Sequence, residues 1–252
     1  MGKNKLKKFA EMLTFPNVFQ CSAGETPDMT KPYEMAGKWR SDFFHNENPI
    51  VLELGCGRGE YTVGLAAMFA EKNFIGVDIK GARIWAGAKE AYLRQMPNVA
   101  FLRTNIEFLP RFFFKDEIDE IWITFPDPQM KKASKRLTSS FFMRRYQQLL
   151  RDGGLIHLKT DSPFLYQYTM EMIRANGYET QVATDDLYAD ISDNPILNLK
   201  THYEHQWLDR GMKIKYICFR LRHKEEFIEP EVEIEKDDYR SYGRWGRTPS
   251  IP

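Results

Sequence analysis

The 252-residue chain is 42% hydrophobic and 28% charged with a formal net charge of +1, an ordinary balance for one large α/β domain or two small ones. Near neutrality does not announce a nucleic-acid binder, and no apolar run approaches the roughly 18 residues that cross a bilayer. Cys21, Cys56 and Cys218 form no CxxC pair and are odd in number, which argues against a disulfide framework or a metal cluster and for a reducing compartment.

The first stretch, residues 1–48, is polar and irregular. It opens MGKNKLKKFAEM, with Lys3, Lys5, Lys7 and Lys8. It lacks the apolar core of a secretory signal and is Lys-rich rather than Arg- and Ser-rich, so the expected location is cytoplasmic. Residues 49–222 alternate short apolar runs with longer amphipathic ones, as a parallel sheet covered by helices requires. Strands are predicted over 50–54, 74–77, 99–103, 118–125, 155–159, 179–184 and 213–221, the last antiparallel. Helices are predicted over 60–70, 82–95, 137–150, 164–175 and 201–210. Asp152-Gly153-Gly154 reads as a turn ending the third of these, and Asn176-Gly177 as the end of the fourth. Asp161 or Ser162 would cap the fourth, and the spacing of Thr201 and Glu204 is that of a capping box. Residues 223–252 form an acidic, irregular extension whose last piece, GRWGRTPSIP, looks poorly ordered.

The chemistry begins at residues 51–59, VLELGCGRG. A strand running through glycines into a helix is a cofactor loop of the Rossmann type. A dinucleotide enzyme needs GxGxxG, whereas Gly55, Gly57 and Gly59 give GxGxG with Glu60 where the third glycine would fall. Glu53 beside the strand end favours a cationic ligand such as a sulfonium and disfavours a pyrophosphate. Asp78 ends the second strand where ribose hydroxyls would arrive, and Asn105 follows the third strand where it could meet an adenine. Cys56 reads as a small packing residue. A glycine turn with two surface acids is the plainer alternative.

The fourth strand runs into Phe125-Pro126-Asp127-Pro128. Flanking prolines fix the backbone and hold the Asp127 carboxylate near the ligand. From Lys131 to Arg145 there are six basic residues and no acidic one, whereas from Lys224 to Arg240 there are eight acidic and three basic residues. Such asymmetry makes a basic face in a near-neutral chain, though a run of this kind also suits a solvated helix face. Asp161 ends the fifth strand and reads equally as a cap or as a crevice residue.

The loop FPDPQMKKASKRL resembles the FxDPWPKKRHxKRRL signature of the bacterial tRNA (guanine-N7-)-methyltransferase family. VLELGCGRGEY, FIGVDIK, HLKTD and THYEHQWLDRG match in order, and NKLKKFAEMLTFPNVF is similar to the family's N-terminal segment. The resemblance covers roughly residues 4–222. It implies a Rossmann-like, seven-stranded methyltransferase sheet with helices on both faces, S-adenosyl-L-methionine as cofactor, and tRNA guanosine 46 in the variable loop as substrate. It further implies cofactor contacts at Glu53, Gly55, Gly57, Asp78, Asn105 and Asp127, with Asp127 catalytic. Substrate contacts would fall on Lys131, Asp161, Thr201, His202, Tyr203 and Glu204. The run Ala133, Ser134, Lys135, Arg136, Leu137 and Thr138 would face RNA, joined by Lys132 and the N-terminal lysines.

One departure is visible: Gln129-Met130 stands where the family has Trp-Pro, and Ser134 replaces a usual His. No metal or membrane is expected, and the protein would be a monomer or homodimer. Two rival readings are a methyltransferase acting on a small molecule or a protein, and a non-catalytic RNA-binding protein of this fold. A nicotinamide oxidoreductase fits the glycine spacing least.

Overall fold

Alternation in the apolar runs sorts side chains onto the two faces of one sheet. In a computed structural model, which describes residues 3–20 and 31–238, the elements follow in chain order. They are α1 (Lys3–Met12), β1 (Val18–Gln20), a π-type turn (Trp39–Phe44), β2 (Ile50–Leu54), α2 (Glu60–Met68), β3 (Asn73–Asp78), α3 (Gly81–Leu93) and β4 (Val99–Arg103). A 3-10 turn (Ile106–Phe108) leads into α4 (Leu109–Phe112), then β5 (Ile118–Thr124), a second 3-10 turn (Ala133–Lys135), α5 (Ser140–Tyr146) and β6 (Leu150–Thr160). The remainder comprises α6 (Pro163–Asn176), β7 (Glu179–Thr184), α7 (Leu187–Asp190), α8 (His202–Leu208) and β8 (Lys215–Leu221).

The strands form one sheet in the order β1-β4-β3-β2-β5-β6-β8-β7. All neighbours are parallel except those of β8, which runs antiparallel between β6 and β7. The seven predicted strands are all present with the last reversed, and the sheet has an eighth: β1 adds to the free edge of β4 through Val18, Phe19 and Gln20. Leu52, Leu54, Ile121, Ile123, Ile156 and Leu158 belong to one buried cluster, and Val51, Phe101, Trp122 and Tyr216 to another. Strands buried on both faces read as near-continuous apolar runs, as IVLEL does. No helix of the described residues is long and apolar enough to cross a membrane.

Two local expectations change. Helix α5 ends at Tyr146 rather than 150, because Leu150 already pairs with Ile118 at the start of β6. The Asp152-Gly153-Gly154 turn is instead an irregularity within β6: register jumps from Ile118 opposite Leu150 to Glu120 opposite Leu155. The extra residues are accommodated as a bulge, with Gly153 at φ +72°.

Several residues before 49 are ordered against the sheet. Trp39 is fully buried and donates through Nε1 to the Phe112 carbonyl at 2.9 Å. The α1 residue Glu11 accepts from Trp85 Nε1 at 2.8 Å and pairs with Lys89 at 2.7 Å, fastening α1 to α3. Lys8 lies over the Trp85 ring. The side chains of Lys3 and Lys5, together with Cys21 and the GRWGRTPSIP piece, lie outside the described residues.

After β8 the chain becomes a strap without regular structure that crosses α5 and α6. Phe227 and Ile234 are buried. Glu229 accepts from the Ser140 amide at 3.1 Å and from the Tyr168 hydroxyl. Asp237 accepts from the Phe164 amide at 3.0 Å and from the Ser162 hydroxyl, at the start of α6.

Candidate functional site

From β2 the chain adds β3 and β4 on one side, then crosses to place β5 on the other, so β2 and β5 flank a topological switch point. Ligands of open α/β sheets bind beyond the carboxyl ends of strands at such a point. Two adjoining hollows of about 330 and 360 Å³ lie there, sharing Gly55, Lys80, Arg83, Phe125 and Asp127 in their walls.

The glycine loop forms the floor, and its amides are already engaged. Gly55 and Cys56 both donate to the Val77 carbonyl, at 2.8 and 3.0 Å, and Gly57 donates to Asp78 Oδ2 at 3.0 Å. Gly59 stands at φ +75°, and a Cβ there would come within 2.5 Å of the Phe101 ring and 3.2 Å of Gly87. This glycine therefore supplies both the left-handed turn and the close approach of α2 to α3. Phosphate loops work by turning several amides toward the ligand, and this loop turns most of its amides back into the protein. The donor set fits a nucleoside with a cationic sulfur better than a pyrophosphate.

Carboxylates and one amide complete the cleft. Glu53 is buried; its oxygens accept from the Thr62 amide at 2.9 Å and the Thr124 hydroxyl at 2.6 Å. Burial pushes its carboxyl up to about 7, against the lowering effect of the Thr124 and Thr62 hydrogen bonds. Asp78 accepts from Gly57 and from the Lys80 amide at 2.7 Å, which fixes its plane at the end of β3. Asn105 caps the first 3-10 turn through Oδ1, accepting from Glu107 at 3.1 Å, and lines the second hollow. Asp127 is exposed, lines both hollows, and accepts from the Gln129 amide at 3.0 Å.

The loop of residues 125–130, the reaction loop that the resemblance implies, is held under backbone strain. Phe125 and Gln129 both have φ +48°, a region that non-glycine residues rarely adopt. The strain is fixed from behind. Arg136 donates to the Gln129 and Met130 carbonyls, at 3.3 and 3.1 Å, and lies over the Tyr168 ring at 4.3 Å. Met130 packs against the core and its sulfur accepts from the Asp237 amide at 3.2 Å, so the strap reaches the corner where the family has Trp-Pro.

The predicted RNA-facing run is therefore mixed. Lys131, Lys132, Ser134 and Lys135 are exposed, and Ala133 is half-buried. Lys135 pairs with Glu107. Leu137 and Lys135 line the second hollow. Thr138, expected to face RNA, is fully buried with its hydroxyl 2.8 Å from that of Thr169, because it precedes α5 on the core side.

Opposite the glycine loop, α8 brings Thr201, Tyr203 and Trp207 to the cleft. The capping box is formed: Thr201 Oγ1 accepts from the Glu204 amide at 3.2 Å, and Glu204 accepts from the Thr201 amide. Glu204 does not reach the cleft. It is 0% exposed and pairs at 2.8 Å with Lys159, also 0% exposed, whose ammonium further donates to the Leu197 and Leu199 carbonyls. Burial lowers the Lys159 pKa, opposed by Glu204. His202 is exposed and fastens α8 to α2, its amide donating to Glu60 at 2.9 Å. Asp161 is fully buried and does not line either hollow, and the helix cap beside it is Ser162.

Sequence reasoning missed three wall residues, Lys80, Arg83 and Trp207. Lys80 and Arg83 follow Asp78 by two and five residues at the start of α3, and the strand-end rule could have reached them. Trp207 and the Lys159–Glu204 pair had no local signal, because their positions depend on α8 folding back over β6.

A family model described as "Putative methyltransferase" matches residues 47–217. The chain is 58% identical over 249 residues to the tRNA (guanine-N(7)-)-methyltransferase of Bacteroides fragilis (strain YCH46), covering 98% of each chain. It is 57% identical over 243 residues to the like-named protein of Porphyromonas gingivalis (strain ATCC BAA-308 / W83), covering 96% of this chain and 100% of that one. Among solved structures, the fold is similar to the 16S rRNA methyltransferase KamB, with a TM-score of 0.57, 14% identity, and coverage of 82% of this chain and 99% of that chain.

Proposed function

The chain belongs to the tRNA (guanine-N(7)-)-methyltransferase family, and on that premise we propose that it transfers a methyl group from S-adenosyl-L-methionine to N7 of guanosine 46 in the tRNA variable loop. The observation that carries this reading is the convergence of Glu53, Asp78, Asn105 and Asp127 on one cleft whose loop amides are already spent. The cofactor would supply an electrophilic methyl group. Asp78 suits the ribose hydroxyls and Asn105 the adenine edge.

Guanine N7 carries an accessible lone pair, and methylating it releases no proton. The chain therefore needs no general base, and its task is alignment. Positive charge grows on the imidazole part of the guanine as the bond forms. The Asp127 carboxylate, held by the Gln129 amide at the mouth of both hollows, stabilises that charge without taking a proton. Lys131 and Lys132 lie exposed a few residues on and suit RNA phosphates, which position the nucleic acid rather than read it.

The test incubates the protein with methyl-labelled donor and total tRNA, followed by nucleoside analysis and mapping of the labelled position. Labelled 7-methylguanosine at position 46 is expected, lost in Asp127→Ala while donor binding persists. Full turnover by that variant would remove Asp127 from the mechanism. Label in protein or small molecules alone would replace the substrate, and absent donor binding would favour a non-catalytic RNA binder.

A further inference from the structure

The basic run of residues 131–145 divides in the fold. Lys131 and Lys132 are exposed a few residues after Asp127, and Arg136 turns inward to the loop that carries it. Arg144 and Arg145, at the end of α5, open onto a separate groove of about 480 Å³ that also draws in Lys31, Arg111 and Phe114. We propose that this groove is a second RNA contact, holding an unpaired nucleotide with its base on Phe114 and its flanking phosphates against Lys31 and Arg144. The inference rests on tRNA being the substrate.

Phe114 is 51% exposed. The ring is nevertheless seated: it lies against Gly37, where a Cβ would approach Phe114 Cδ2 to 2.5 Å, and Gly37 stands at φ +77°. Its own amide donates to Glu117 at 2.8 Å, as does the amide of Gly37 at 2.9 Å, so one buried carboxylate fixes ring and seat together. An aromatic face held rigidly at the surface beside several cations is the arrangement on which bases stack while phosphates are neutralised.

Among the described residues Glu107 is the one carboxylate lining the groove, and that group is committed to Lys135. Among the described residues, neither Lys31 nor Arg144 has a carboxylate partner. Arg145 is wall rather than ligand-holder, since it lies 3.5 Å over the Phe141 ring and donates to the Glu107 and Phe141 carbonyls. The groove also neighbours the cleft, the two meeting at the Lys135–Glu107 pair. Glu107 belongs to the 3-10 turn capped by Asn105, and its partner Lys135 lines the hollow that Asn105 and Asp127 share.

The test measures binding of labelled tRNA by fluorescence anisotropy across a salt series, with KM for tRNA in parallel. Phe114→Ala should raise Kd on the order of tenfold with its salt slope unchanged, and Phe114→Trp should restore wild-type affinity. The double variant Lys31→Ala, Arg144→Ala should reduce the slope by about 1.4, from about 0.7 per single-strand phosphate. KM should follow Kd in each case. If the wild-type protein methylates tRNA while Phe114→Ala binds as wild type and the double variant keeps the full slope, the groove is not a contact. If the wild-type protein neither binds nor methylates tRNA, the substrate reading falls and this inference with it.

Discussion

Replacing Glu53 by Gln should make the protein's stability less sensitive to pH between 5 and 8. Glu53 is wholly enclosed, and burial raises its carboxyl from the ordinary 4.5 to about 7. The folded state therefore holds a proton that the unfolded chain has released over that interval. Stability from this group is present in full below 4.5 and is lost as pH rises through 7. With the two pKa values in the linkage relation, the loss between pH 5 and pH 8 is about 2.5 kcal/mol. Gln removes the titration and fits the site: its carbonyl accepts from the Thr62 amide, and its amide donates to the Thr124 hydroxyl, which can rotate to accept. Urea unfolding at half-unit pH steps, taken as the difference between wild type and variant, isolates this group from every other carboxylate. The advantage of wild type over Glu53→Gln should shrink steadily toward pH 8. A constant difference, or one that grows with pH, would refute the reasoning.

The remaining expectations follow from single contacts. Glu204→Gln leaves the Lys159 ammonium buried against two carbonyls and should cost about 3–5 kcal/mol in denaturant unfolding. Lys159→Met with Glu204→Leu should recover most of that loss. Gly59→Ala must place a side chain at φ +75° and within 2.5 Å of Phe101, so its melting should report a loss of about 2–4 kcal/mol. Asp237→Ala removes an acceptor from the start of α6 and should cost about 1 kcal/mol. Hydrogen exchange should rise at residues 129–136 while α2 stays protected, and uniform protection would mean the strap does not steady the reaction loop.

Much of the glycine-loop side of the cleft was legible because it obeys rules of short range. A strand end, a glycine turn and an acid two residues upstream are local patterns, and Glu53, Asp78, Asn105 and Asp127 all lie where strand-end geometry puts them. The acceptor side was less readable. Thr138 and Arg136 sit in a run that looks uniformly cationic and polar, yet one is interior and the other braces backbone carbonyls. Glu204 looked like a substrate contact or a cap, and only the fold brings Lys159 beneath it. The Asp152-Gly153-Gly154 segment has turn chemistry but lies within a strand, because pairing to β5 and β8 on either side outweighs local preference. Residues 31–44 carried no periodic signal, although Trp39 anchors one face of the core.

The strap reaching Met130 has a consequence for how the enzyme comes into being. Synthesis runs from the N-terminus, and a nascent domain begins to fold before its chain is complete. The glycine loop, Asp78 and Asp127 are all made before β6, yet the Asp237 amide meets the Met130 sulfur only after all eight strands have been translated. A growing chain can thus shape the glycine-loop half of its cleft long before the loop carrying Asp127 is braced. The loop carrying Asp127 gains its outer brace only from a residue made after the whole sheet.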